Sequence, residues 1–150
     1  MAIEQLITSF IATGAFGILF NIPRQSLIKC GLVGMIGWMI YFYLAMNKVD
    51  VVFATFVAAF SIGVMSQIYA KIYRAPSIIF SVSGIIPLVP GGMAYDAMRH
   101  FVENDYNVAN VLAAKAFMIS GAIAFGLVFS EVINQMILKV RRREQVRKNS

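Results

Sequence analysis

Five stretches of this chain run for about 18 residues or more with hardly a charge, near positions 3–20, 28–46, 51–70, 77–95 and 108–138. That length crosses a hydrocarbon core about 30 Å thick. A backbone in lipid must satisfy its own hydrogen bonds, so each stretch is expected to cross as a helix. The expected fold is therefore all-α: a polytopic integral membrane helical bundle of five transmembrane helices. At 59% hydrophobic and 13% charged residues, the chain lies outside the range of soluble domains. The N-terminal "MAIEQLITSF" has no basic leader, carries Glu4 and lacks a small-residue cleavage site. It reads as a retained first span, not a signal peptide. The chain divides into a transmembrane domain, 1–138, and a basic tail, 139–150, too charged to enter lipid.

The cations orient the spans. Arg24 and Lys29 follow the first, Lys71 and Arg74 the third, and Lys139, Arg141, Arg142, Arg143, Arg147 and Lys148 the fifth. All ten fall on one side if five segments cross, against Lys48 and Arg99 on the other. Glu4, Asp50, Asp96, Glu103 and Asp105 share that other side. The positive-inside rule places the N-terminus outside and the C-terminus in the cytoplasm. A net charge of +6 can suggest nucleic acid, but here the charges sit in connectors and tail, and no nucleic-acid partner is expected.

Helices in lipid associate through small residues. Gly31, Gly34 and Gly37 mark the second span, Ala54, Ala58 and Ser61 the third, and Ser120, Ala122, Ala124 and Gly126 the fifth. Such faces serve plain helix packing, and five helices bearing this many suggest a tight bundle or one that meets a second bundle. Lys115 and Glu131 lie within the fifth span, 16 positions and about 24 Å apart, too far to pair. Each is either a snorkelling side chain or a candidate proton or charge relay.

Catalysis finds little support. Cys30 is the only cysteine and His100 the only histidine. This excludes an internal disulfide and leaves no cluster of metal-ligand spacing. Nucleophile–base pairs, phosphate loops and carboxylate pairs are also missing from the sequence. No enzyme activity, metal or cofactor is expected.

The fourth span carries "IIPLVPGG", residues 85–92. Helical from Pro76, the chain reaches it about 14 Å in, near the bilayer midplane. Pro87 and Pro90 lack backbone donors, and Gly91 and Gly92 loosen the chain. Unpaired backbone groups there must be buried in protein or line a wet cavity. The break is either a kink repaired by neighbours or a discontinuous helix at a binding site. On the second reading Pro90 starts the outer half, and the amides of Gly91, Gly92 and Met93 face a carboxylate. The inner half ends near Gly84–Ile86, its carbonyls favouring an ammonium. A re-entrant loop would put the arginine tail outside, against the charge placement.

"FNIPRQSLIKCGLVG" at 20–34, followed by "IPLVPGGMAYDAM" at 86–98, resembles the threonine/serine exporter family. The likeness is to its short companion subunit, which matches the C-terminal half of fused members. The resemblance implies export of small carboxylates across a bacterial inner membrane: threonine- or serine-type amino acids, or short dicarboxylic acids. It also implies a longer partner subunit carrying the other half, and is compatible with a higher oligomer. Pro87, Pro90 and Gly91 form the motif's core, accompanied by Asn21, Gly92, Tyr95 and Asp96 as substrate-site residues, with Pro23 carried over as part of the "FNIP" turn. The topology agrees with it, because an odd span count per half gives halves of opposite orientation. A non-transporting membrane scaffold is the competing reading.

Overall fold

A computed structural model describes residues 2–148; Met1 and residues 149–150 lie outside it. Six α-helices follow in order: α1 Ala2–Leu19, α2 Arg24–Met46, α3 Val51–Tyr73, α4 Ser77–Ile85, α5 Gly91–Val102 and α6 Tyr106–Lys148. One 3₁₀ turn, Ile86–Leu88, stands between α4 and α5. Among the described residues there is no strand. The side chains of residues 141–150, most of the expected basic tail, lie outside the described residues.

Helix ends follow local chemistry. Pro23, Pro76 and Pro90 sit at the N-caps of α2, α4 and α5, where a missing donor does no harm. Asp50 caps α3, its Oδ1 accepting from the amides of Val52 at 2.9 Å and Phe53 at 3.3 Å. Such a cap stabilises by about 1 kcal/mol. Asn21, Lys48, Arg74 and Asn104 take positive φ after α1, α2, α3 and α5. These left-handed residues turn the chain back where glycine is the usual choice.

Packing is inside-out relative to a water-soluble protein. Alanine, serine, glycine and Cys30 fill much of the interior, while large side chains such as Phe117 (80% exposed) and Phe125 (70%) point outward. Lipid tails solvate those side chains, so close backbone approach holds the bundle. A Cβ on Gly34 would collide with Thr13 of α1, and one on Gly37 with Ile62 of α3. One on Gly126 would lie 2.8 Å from the Phe56 carbonyl oxygen of α3. Of the two uses expected for the small faces, these contacts show packing within this chain.

Short α4 is enclosed by α1, α2 and α3. Its Phe80, Ser83 and Gly84 are buried, and a Cβ on Gly84 would stand 2.9 Å from Val33 Cγ1. Leu88 of the 3₁₀ turn joins a core of Val33, Ala58, Ala59, Ile62, Ile119 and Ile123. Beyond the turn α5 leaves this nest and packs on α6, which also packs along α3.

The helices α2, α3 and residues 106–140 of α6 are each long and apolar enough to cross a membrane. That makes 3, or up to 4 if the bent α4–α5 pair is one span. The apolar part of α1, Ile3–Leu19, falls just below the 18-residue length, so five crossings do not follow from helix lengths. The fourth expected span reaches further than its apolar stretch, because α5 extends through the polar "DAMRHFV" to Val102.

Candidate functional site

The segments Ser77–Leu88 and Gly91–Val102 meet at a 50° bend. The chain repairs most of this break itself. Pro87 cannot donate to the Ser83 carbonyl, but the Ile86 amide does so in 3₁₀ geometry. Pro90 cannot donate to the Ile86 carbonyl, and the Val89 amide replaces it at 3.2 Å. Each proline is thus preceded by a residue whose shorter-range bond satisfies the orphaned oxygen. Pro90, at φ −78° and ψ 49°, then makes an inverse γ-turn, with the Gly91 amide donating to the Val89 carbonyl at 2.8 Å.

Two expectations change here. The carbonyls of Ser83 and Ile86 are engaged, so the end of α4 is a weaker cation site than a bare helix end. The Gly91 amide is also engaged, and helical bonding resumes with Ala94 donating to Pro90 at 3.1 Å. Between these bonds, Gly92 and Met93 supply the first-turn amides of α5, at the positive end of its dipole. A Cβ on Gly91 or Gly92 would meet nothing within 4 Å, so this helix end opens onto free space.

Beside the break lies a cleft of about 170 Å³ lined by Gln5, Thr8, Ser9, Ala12, Trp38 and Pro87. The Trp38 Nε1 donates to Gln5 Oε1 at 2.8 Å, which leaves the Gln5 amide nitrogen as a donor for a ligand. Thr8 and Ser9 donate to the carbonyls of Glu4 and Leu6, at 2.8 and 3.1 Å. Sequence reading had passed over this polar face of α1. Its signal was the spacing 5, 8, 9, 12, one side of a helix. The contribution of Trp38, from α2, had no such local signal.

The sequence-predicted residues scatter. Pro87 lines the cleft, Pro90 caps α5, and Gly91 and Gly92 form its first turn. Tyr95 is exposed on α5, and Asp96 is half-buried one residue on. Asn21 is elsewhere: it takes φ 54° in the α1–α2 turn. That turn lies nine residues beyond Ala12, about 13 Å along the helix axis. Lys115 is exposed on α6. Glu131 lies near the far end of α4, where its Oε2 accepts from Gln67 Nε2 at 3.0 Å.

A larger groove, about 810 Å³, runs between α3 and α6 past Phe53, Phe56, Met118, Phe125 and Phe129. Its walls offer a polar substrate almost nothing. Asp50, at its edge, is engaged as the α3 cap. This groove suits acyl chains or another apolar helix.

Residues 5–133 match the family described as "Threonine/Serine exporter, ThrE". An uncharacterized protein of Haemophilus influenzae is 32% identical over 132 residues, covering 83% of this chain. The match covers 44% of that relative, so the chain spans less than half its length. No solved structure matches. With a family match over residues 5–133, most of its length, this bundle of apolar helices with a broken span belongs to the threonine/serine exporter family.

Proposed function

We propose that this chain is one subunit of a secondary exporter for small carboxylates, working by alternating access with a longer partner subunit in a bacterial inner membrane. The substrates are threonine- or serine-type amino acids or short dicarboxylic acids. The 50° break carries this reading, because its Pro87 lines a polar cleft and a few residues later it leaves an open helix N-terminus at Gly91. A substrate carboxylate accepts from the Gly92 and Met93 amides, while Gln5 donates from the α1 side. The helix dipole adds roughly half a positive charge, at a depth where water is scarce. Pro87 holds the bend, and Pro90 directs α5 outward.

The helix end at Gly91 and Gly92 is open, since an added Cβ at either would meet nothing within 4 Å. A second half closing over this end supplies the missing wall and the alternating gate. Cells producing this chain alone should therefore export no extra serine, threonine or dicarboxylate. Co-expression of the longer subunit should restore export. Full transport by the purified short chain in vesicles would refute the need for a partner.

The split of cations sets the orientation proposed: N-terminus outside, C-terminus in the cytoplasm. Single cysteines at Ser150 and Asn104, in a Cys30→Ser background, should react with an impermeant maleimide from opposite sides. Reaction of both from the outside would mean an even number of crossings between them and the loss of this topology.

A further inference from the structure

A second polar cleft, about 290 Å³, lies at the other end of α4, between α3, α4 and α6. Its polar lining is Ser66 and Gln67 of α3, Ser77 and Ser81 of α4, and Ser130 and Glu131 of α6. Ser66, Gln67 and Ser130 are each more than nine-tenths buried. A Cβ on Gly63 would collide with Ser130, so glycine is what lets α3 and α6 close on this side.

The direction of the hydrogen bonds decides what such a cleft attracts. Ser66 donates to the Ile62 carbonyl at 2.7 Å, Ser130 to Leu127 at 2.8 Å and Ser81 to Ile78 at 3.4 Å. Three hydroxyls therefore turn lone pairs, not protons, to the space between the helices. Gln67 Nε2 donates to Ser130 Oγ at 3.5 Å and to Glu131 Oε2 at 3.0 Å, so its carbonyl oxygen is what remains for a ligand. Glu131 Oε1 accepts from Gln135 Nε2 at 3.3 Å.

The charge balance points the same way. The nearby N-terminus of α4 carries roughly half a positive charge, less than the full negative charge of Glu131. Lys71, one turn from Gln67, donates to Asn134 Oδ1 at 2.6 Å and not to Glu131. From α4 no charged side chain lines the cleft. The remainder is a net negative cleft of oxygen acceptors beside one carboxylate, Glu131, which is itself exposed and accepts from two neutral amides. One carboxylate matches one positive charge, and no group of three or more His, Cys, Asp or Glu stands among the described residues to hold a divalent ion. Volume allows an ion to keep several waters, each about 30 Å³ in the liquid.

We infer that this cleft is a site for a hard monovalent cation, an alkali ion or a proton, centred on Glu131 and completed by the hydroxyls of Ser66, Ser77, Ser81 and Ser130. It lies across the length of α4 from the break, so one short helix separates the two sites. The inference concerns binding to this chain and does not depend on export.

The test is thermal melting of the full chain in lipid nanodiscs. Sodium or potassium chloride replaces choline chloride at constant ionic strength, and a separate series varies pH. A ligand that binds only the folded state raises the melting temperature as its concentration rises. An alkali-dependent rise in wild type, weakened at least about tenfold in Glu131→Gln, identifies an alkali site, since the lost contact is charge-assisted. Dependence on pH alone, abolished in Glu131→Gln, identifies the proton. Ser81→Ala removes one half-exposed hydroxyl and guards against misfolding of the first variant. It should weaken alkali binding about fivefold, the effect of one neutral contact, or alter the pH dependence if the cation is the proton. Melting that responds to neither series, or responds alike in wild type and both variants, overturns the assignment. Absence of export by wild-type chain co-expressed with the longer subunit, with cation binding intact, would instead count against the exporter reading alone.

Discussion

Gly91→Leu should abolish export while the chain still inserts and assembles. Nothing in the fold requires glycine there: its φ is not positive, and an added Cβ would meet nothing within 4 Å. Leucine is also the better helix former, by somewhat less than about 1 kcal/mol. What leucine obstructs is the approach of a ligand to the amides of Gly92 and Met93. Loss of a charge-assisted contact to a carboxylate should reduce export to about one-tenth or less. Substrate binding should then no longer perturb the fluorescence of Trp38, the only tryptophan, which lines the neighbouring cleft.

The complementary variant replaces Pro87 and Pro90 together with leucine. Two restored amides would compete for the Ser83 and Ile86 carbonyls, which the Ile86 and Val89 amides now hold in 3₁₀ bonds. An α-helix then runs through the bend and the first-turn amides of α5 disappear into its ladder. Normal export by either variant would reduce the break to a kink and remove the proposed carboxylate site.

The other large effect is on folding. Gly126→Val should prevent α6 from seating on α3, with a loss of about 3 kcal/mol or more. The new Cβ would stand 2.8 Å from the Phe56 carbonyl oxygen and 3.0 Å from the Phe60 nitrogen. Both are backbone atoms of a helix and cannot turn aside as a flexible side chain would. Gly121→Ala is the control, because its Cβ meets nothing within 4 Å. Melting in detergent and membrane-inserted yield should separate the two. A Gly126→Val protein that melts with wild type would mean that α3 and α6 do not touch here.

Much of this architecture is legible in a local pattern. Apolar length specified α2, α3 and the apolar part of α6, and Pro76 placed the start of α4, whereas α2 begins at Arg24, four residues before its expected span. The break after Ile85 followed from two missing donors three residues apart. Its detail did not: sequence reading left the Gly91 amide and the inner carbonyls free, whereas 3₁₀ and γ-turn bonds engage them. The turn geometry around a proline depends on the next few dihedrals, which composition leaves open. The first span is the converse case. Its apolar character is plain, yet its 17-residue length leaves the crossing undecided.

The sequence by itself determined the apolar character, the helical class, the place of the break and the resemblance to an exporter family, because each depends on residues within a few turns of one another. Which helix meets which was decided only in three dimensions. In lipid no hydrophobic gradient tells a helix face where to turn, so pairing is settled by how closely two backbones can approach. Gly126 against Phe56 places α6 on α3, while Gly84 against Val33 seats α4 beside α2. Only that assembly brings Trp38 to Gln5, 33 positions away, and Glu131 to Gln67, 64 positions away. Both polar clefts are made by such contacts, and no periodicity within a single helix encodes them.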